Sequence, residues 1–301
     1  MSLRTILVAF LLSAVCAACG SAAPGKSGGH IISNPTLSPG RKVVPVIASS
    51  EVLVGQNRFL VGLLNRNGAP IATPHTQMRI AFFDPKRSSS SPSSTIHTHF
   101  IWGLKPAIGF YEGHAHFDHA GMWDAAITLS GGGFHETDRQ SFPVLTHGST
   151  PAVGQRVPAS NSPTGSGKQL ARITTDPHPD PRFYSTSIAQ AVTAHQPFVV
   201  VFATPRYCVS QLCAPMLDIV KRVSRSIPKL TFIHVEIYRL PRSGKLPSNP
   251  GSLPESTAVK QWGLQSDPWT FVVNAHGRVA AKFEGTVTPG ELKSAIDRVL
   301  R

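Results

Sequence analysis

The chain has 301 residues, 41% of them hydrophobic, enough to bury the cores of one or two domains. Only 15% are charged, while 25 glycines and 26 prolines punctuate it, which excludes a wholly helical or coiled-coil protein. The formal net charge of +13 admits a nucleic acid or an anionic surface such as a membrane or cell envelope as partner, and does not by itself choose between them.

The amino terminus predicts the compartment. Arg4 supplies a positive charge, and Thr5 to Ala18 is an uncharged, mostly apolar run ending in small residues. That pattern is a secretory signal over residues 1–18, too short to span a bilayer as a helix. Ala17-Ala18-Cys19, followed by Gly20-Ser21-Ala22-Ala23-Pro24, resembles a bacterial lipobox. The resemblance implies that Cys19 is lipidated and tethers the mature protein to the outer face of the cell membrane. Cys16 stands where the lipobox carries leucine, so ordinary cleavage and secretion stays open as the alternative. Export weighs against a nucleic-acid partner, as do the scattered basic residues, which form no Arg/Lys stripe with interleaved aromatics and no zinc-finger spacing.

Residues 19–42 are rich in Gly, Ser, Ala and Pro and read as a disordered tether; 151–181 has the same character and reads as a linker. Between them, 43–150 reads as an all-β sandwich domain. The run Arg58 to Leu64 precedes Asn67-Gly68, a hairpin signal, and Met78, Ile80 and Phe82 alternate with polar or small residues. Further strands are expected over 97–104, 109–117 and 122–129, and the Ser-rich stretch 86–95 is expected as an exposed loop. The sequence from Gly109 to Trp123 resembles the small immunoglobulin-like exported domains of the FixH/YtkA kind. Within it, His114 and His116 project to one face of an extended strand and His119 follows at the turn beside Asp118, so three imidazoles are available to a copper or zinc ion. His97 and His99 form a second same-face pair. The competing reading is that these are solvated positions in a chain with 13 histidines.

The second domain, 182–301, carries the chemistry. A helix is expected over 187–195, then Pro197 to Phe202 is a continuous apolar run of strand length, followed by Tyr207-Cys208 and by Cys213 at the start of an amphipathic helix. Another apolar strand spans 230–238, and after a Pro/Gly/Ser loop come Asp267-Pro268-Trp269, a strand pair and a closing helix from Pro289 to Leu300. This half resembles the thioredoxin-fold family, in which an apolar strand ends at an aromatic-Cys site capping a helix and a later proline, usually cis, faces the cysteines. Pro268 to Val279 is similar to the corresponding run of exported TlpA/ResA-type thiol oxidoreductases. The resemblance implies an α/β thioredoxin-like domain with Cys208, Cys213 and Pro268 as its working residues and Tyr207, Arg206 and Trp269 shaping the site.

The spacing departs from the family. Four residues separate Cys208 from Cys213, against two in thioredoxins and three in Sco-type copper chaperones. An i, i+5 pair on a continuous helix sits at or beyond the Cα separation a disulfide tolerates, so Cys208 is expected on a loop or on helix that unwinds; Pro215 favours the loop. Some peroxiredoxins share the spacing, but Pro205 occupies the place of their threonine, which weighs against peroxidase activity. A thiolate at a helix N-terminus near Arg206 is stabilised, so Cys208 is expected as nucleophile and Cys213 as the resolving thiol. An inert structural disulfide is the alternative. His234 is expected in the core and His276-Gly277 in a hairpin turn. No nucleotide or dinucleotide fingerprint is present, and no cofactor is expected apart from copper as an option. The sequence thus predicts an exported two-domain protein that exchanges disulfides with envelope proteins. Its rivals are a copper carrier using both cysteines and a histidine, and a non-catalytic adaptor.

Overall fold

A computed structural model describes residues 42–301; the expected signal segment, Cys19 and the expected tether up to residue 41 lie outside the described residues. The first half contains nine strands: β1 (Val43–Ile47), β2 (Gly55–Asn65), β3 (Pro70–Ile71), β4 (Gln77–Phe83), β5 (Ser94–His97), β6 (His99–Leu104), β7 (Ile108–Phe117), β8 (Gly121–Gly131) and β9 (Phe134–Val144). They form an antiparallel sheet ordered β1-β2-β7-β6, with β3 beside β2, and a second ordered β5-β4-β8-β9. Alternation along β2, β4, β7 and β8 sends Phe59, Val61, Phe82, Phe117 and Ile127 into one core between the sheets, where Phe59, Phe82, Phe117 and Phe142 meet edge to face.

Two local features differ from the predicted strands. The expected strand 97–104 is split at Thr98, because β5 pairs with β4 in one sheet and β6 with β7 in the other. His97 and His99 therefore belong to different sheets. The sequence after Gly133 forms β9, the longest hairpin partner of β8, across three glycines with φ of 77°, 61° and 86° that only glycine adopts without strain. Pro143 is tolerated inside it because β9 is an edge strand.

In the second half, α1 (Ile188–Thr193) leads to β10 (Phe198–Ala203), α2 (Cys213–Ser226), β11 (Thr231–Glu236), α3 (Thr257–Gln261), β12 (Trp269–Val273), β13 (Val279–Glu284) and α4 (Pro289–Val299). The sheet is ordered β11-β10-β12-β13; only β10 and β11 run parallel. β10 is buried at every position, its β-branched residues packing on both faces of the sheet. α4 opens with Pro289 and a capping box in which Glu291 accepts from the Thr288 N–H.

The two-part fold class predicted from the sequence, an immunoglobulin-like sandwich followed by an α/β thioredoxin-like domain, is corrected here. The described chain is mostly β, built on three sheets with 19% helix, and shows no clear thioredoxin α/β arrangement. The physical reason lies in the connections. The apolar runs do become strands, but two of the three pairings in the last sheet are antiparallel, so β10–β11, joined through α2, is its one parallel unit. Between β11 and β12 the chain supplies only a single-turn 3-10 helix and the five-residue α3.

The two halves meet along a seam. Segment 151–181 lies against the second half, burying Val157 and Leu170 and pairing with β13 through Gly154 and Gln155. The outer face of the β2–β7 pair packs on the same half. Arg58 contacts Glu291 at 2.8 Å, Lys282 contacts Glu51 at 2.9 Å, and the Ser50 N–H donates to Glu284. Leu60, Ile101, Ile108 and Phe110 form an apolar cluster that receives Leu212.

Candidate functional site

Leu212 leads directly to the cysteines. The chain leaves β10 through a turn closed by the Tyr207 N–H on Thr204, and Gln211, at φ 61°, reverses it in the left-handed region before α2 starts at Cys213. A loop rather than a helix therefore spans the four intervening residues, which brings the two Cα atoms to 5.9 Å, and Cys208 and Cys213 are joined as a disulfide. Cys213 is fully buried and Cys208 half-buried. The Cys213 N–H, the first of α2, donates to Cys208 Sγ at 3.1 Å. The N-cap residue Leu212 has no capping side chain, so the Cys208 sulfur satisfies one of the free N–H groups of this helix. A thiolate formed there is held by that bond and by the positive end of the helix.

Asp267 faces both sulfurs, with Oδ1 3.3 Å from Cys213 Sγ and 3.6 Å from Cys208 Sγ. Burial pushes its carboxyl up to about 6. The peptide joining it to Pro268 is cis, and its carbonyl accepts from Ser210 Oγ, which lies 3.3 Å from Cys208 Sγ. Asp267 and Ser210 were not singled out by the sequence reasoning. The signal for the first was its place immediately before Pro268, on the side of the peptide that meets the cysteines.

The other predicted site residues are dispersed. Tyr207 is buried, its hydroxyl donating to the Pro247 carbonyl, and its ring meets Tyr238 edge on. Arg206 is exposed; its guanidinium lies over the Tyr207 ring and its backbone N–H donates to the Thr175 hydroxyl. Trp269 belongs to the core on the sheet face away from α2, stacked on Phe271 with its indole N–H on Ser266. It does not cover the cysteines. His234 is buried, bonded to Tyr184 and to the Ala203 carbonyl, and burial lowers it to about 4.

The histidines of the first half do not form a ligand set. His114 and His116 share the outer face of β7 and are exposed, while His119 beyond the strand end pairs with Asp118 at 2.6 Å and approaches Asp84 at 3.4 Å. Among the described residues, the only group of three or more potential ligands lying within 4.8 Å of one another is Cys208, Cys213 and Asp267. The two sulfurs bond each other here, so a metal would require the reduced pair, and no histidine joins it. Among the described residues no helix is long and apolar enough to cross a membrane.

No protein-family model and no curated protein matches the chain. Among solved structures it is similar to a family 76 glycoside hydrolase from a bovine Bacteroides thetaiotaomicron strain, at 18% identity and a TM-score of 0.22, over 30% of this chain and 18% of that one. It is also similar to a candidate glycoside hydrolase from Bacteroides vulgatus, at 12% identity and a TM-score of 0.21, over 40% of this chain and 25% of that one. The chain thus spans a quarter or less of either structure, and likenesses this slight carry no argument about fold or activity.

Proposed function

We propose that the protein performs thiol–disulfide exchange on proteins of the bacterial envelope, exported by its signal segment and held at the membrane by lipid on Cys19. The observation that carries the reading is the asymmetry of the pair: a half-exposed Cys208 sulfur caps α2, while its partner Cys213 is fully buried. An incoming substrate thiolate attacks Cys208 Sγ, the Cys208–Cys213 bond breaks, and its electron pair leaves on Cys213 Sγ, which takes up a proton. A second substrate thiolate then attacks its own mixed-disulfide sulfur and expels Cys208 as a thiolate. The substrate departs with a new disulfide and the protein as a dithiol. The reverse sequence reduces a substrate.

The test is the reduction potential of the pair, taken by equilibrating the protein in thiol buffers and counting free thiols. A reversible midpoint between about −270 and −120 mV, with exchange abolished in Cys208→Ser, is expected. A pair that resists reduction overturns the reading in favour of a structural disulfide. The clustering of Cys208, Cys213 and Asp267 favours a second reading, in which the reduced pair holds a soft ion such as copper(I). Tight copper binding that needs both cysteines, without exchange, would establish it.

A further inference from the structure

We infer that the apolar cleft between the halves receives an apolar side chain next to the cysteine of the polypeptide that exchanges at Cys208, so that the first half selects the substrate of the second. The inference rests on the exchange reading above. The cleft, of about 220 Å³, is walled by Leu60, Ile108 and Phe110 from the outer face of β2 and β7 and by Ser210, Leu212 and Asp267 from the cysteine side. Ser210 and Asp267 are also the residues in contact with Cys208 Sγ, at 3.3 and 3.6 Å. A group in the cleft is therefore one side chain away from the reacting sulfur, which is the offset of a neighbouring residue in an extended chain.

Three features select a polypeptide over a small free thiol. The cleft continues the apolar cluster that already joins the halves through Leu212. Val209, 70% exposed beside Cys208, adds apolar surface that a small thiol would leave uncovered. The space admits one leucine- or phenylalanine-sized group and no folded element. A larger cavity of about 550 Å³ also lies between the halves, but Glu51, Arg58, His114 and Lys282 line it, and neither cysteine nor Ser210 or Asp267 does.

The experiment uses the reduced full-length protein and two short cyclic disulfide peptides that differ only in having Leu or Ser beside the reacting cysteine, with hydroxyethyl disulfide as a small reference. The Leu peptide is expected to react about 10- to 100-fold faster than the Ser peptide, the effect of burying one large apolar side chain. Ala48 lines the same cleft. Ala48→Phe, which fills it, is expected to bring the two peptide rates together, a ratio that does not depend on the fraction of protein folded. Equal peptide rates in the unmodified protein, or a ratio that survives Ala48→Phe, overturns the inference while exchange with hydroxyethyl disulfide leaves the exchange reading standing. Failure to react with all three overturns both.

Discussion

The core inside the first half and the seam between the halves are built from opposite faces of the same β2–β7 pair, and they are built differently. The inner face meets the second sheet through a cluster of buried rings, Phe59, Phe82, Phe117 and Phe142. The outer face meets the other half through a small cluster around Leu212 together with ion pairs such as Arg58–Glu291. A closed aromatic core specifies one half by itself. A seam of few apolar contacts and several charges instead positions a loop, here the one between the two cysteines, and leaves room beside it. The clearest way to separate the two roles is Phe82→Ala. Phe82 is fully buried at the centre of the ring cluster, so truncation should cost about 3–5 kcal/mol, read as a shift in the urea midpoint.

The next largest effect concerns a buried charge at the end of the sheet that carries the cysteine loop. Glu236, on β11, accepts from the Thr175 N–H and hydroxyl, and Thr175 in turn holds the Arg206 N–H. Burial pushes Glu236 up to about 7 from an ordinary 4.5. The native protein therefore keeps a proton that the unfolded chain releases, and Glu236 makes the protein less stable as pH rises from about 4.5 to about 7. Buried His234 acts in the opposite sense. Lowered from 6.5 to about 4, it makes the protein less stable as pH falls through that window. In Glu236→Gln the Glu236 slope is lost, while the contributions of His234 and of the other shifted groups such as Asp267 remain. The stability of the unmodified protein relative to this variant should fall by about 3 kcal/mol between pH 4.5 and 7.5, checked by urea unfolding at both. Equal pH dependence in the two proteins would break the assignment.

Leu212→Ala tests the seam directly. Leu212 is 6% exposed and packs on the first half, but beside an existing cleft, so its loss should cost about 2 kcal/mol, the low end for a buried leucine. The same variant should speed chemical reduction of the Cys208–Cys213 pair, because the loop loses its apolar anchor, whereas Phe82→Ala should not. Reduction kinetics with a water-soluble thiol distinguish them.

The sequence made the strands legible wherever one periodicity dominated. Alternation at Met78, Ile80 and Phe82 and the continuous run before Ala203 became β4 and β10. It did not show that His97 and His99 part into different sheets, because the crossover at Thr98 is set by tertiary pairing and leaves no break in local pattern. Nor did it give the arrangement of the second half, since an apolar strand reads alike whether its neighbour is parallel or antiparallel. The start of α2 at Cys213 was legible from Pro215, whereas Asp267 beside both sulfurs follows from how β12 meets α2, a contact between residues more than fifty positions apart.

The smallest expected effect lies at the exposed histidines on the outer face of β7. His114 and His116 alternate with buried Ala115, so β7 fixes which way they point, and it offers His114 one neighbour, Glu112. His114 sits 3.3 Å from buried Glu112 but is itself 69% exposed, so water screens it, and Glu112 also has His99 at 3.0 Å and Arg58 at 3.8 Å, so the contact is worth little. Replacing both with alanine should change stability by less than about 0.5 kcal/mol, and calorimetric titration with copper(II) should not distinguish the variant from the unmodified protein. A loss of tight copper binding in the double variant would show that the outer face recruits His119 or a second molecule to complete a site. The seam and the histidine strip would then be two functional surfaces of one sheet instead of one functional surface and one solvated strip.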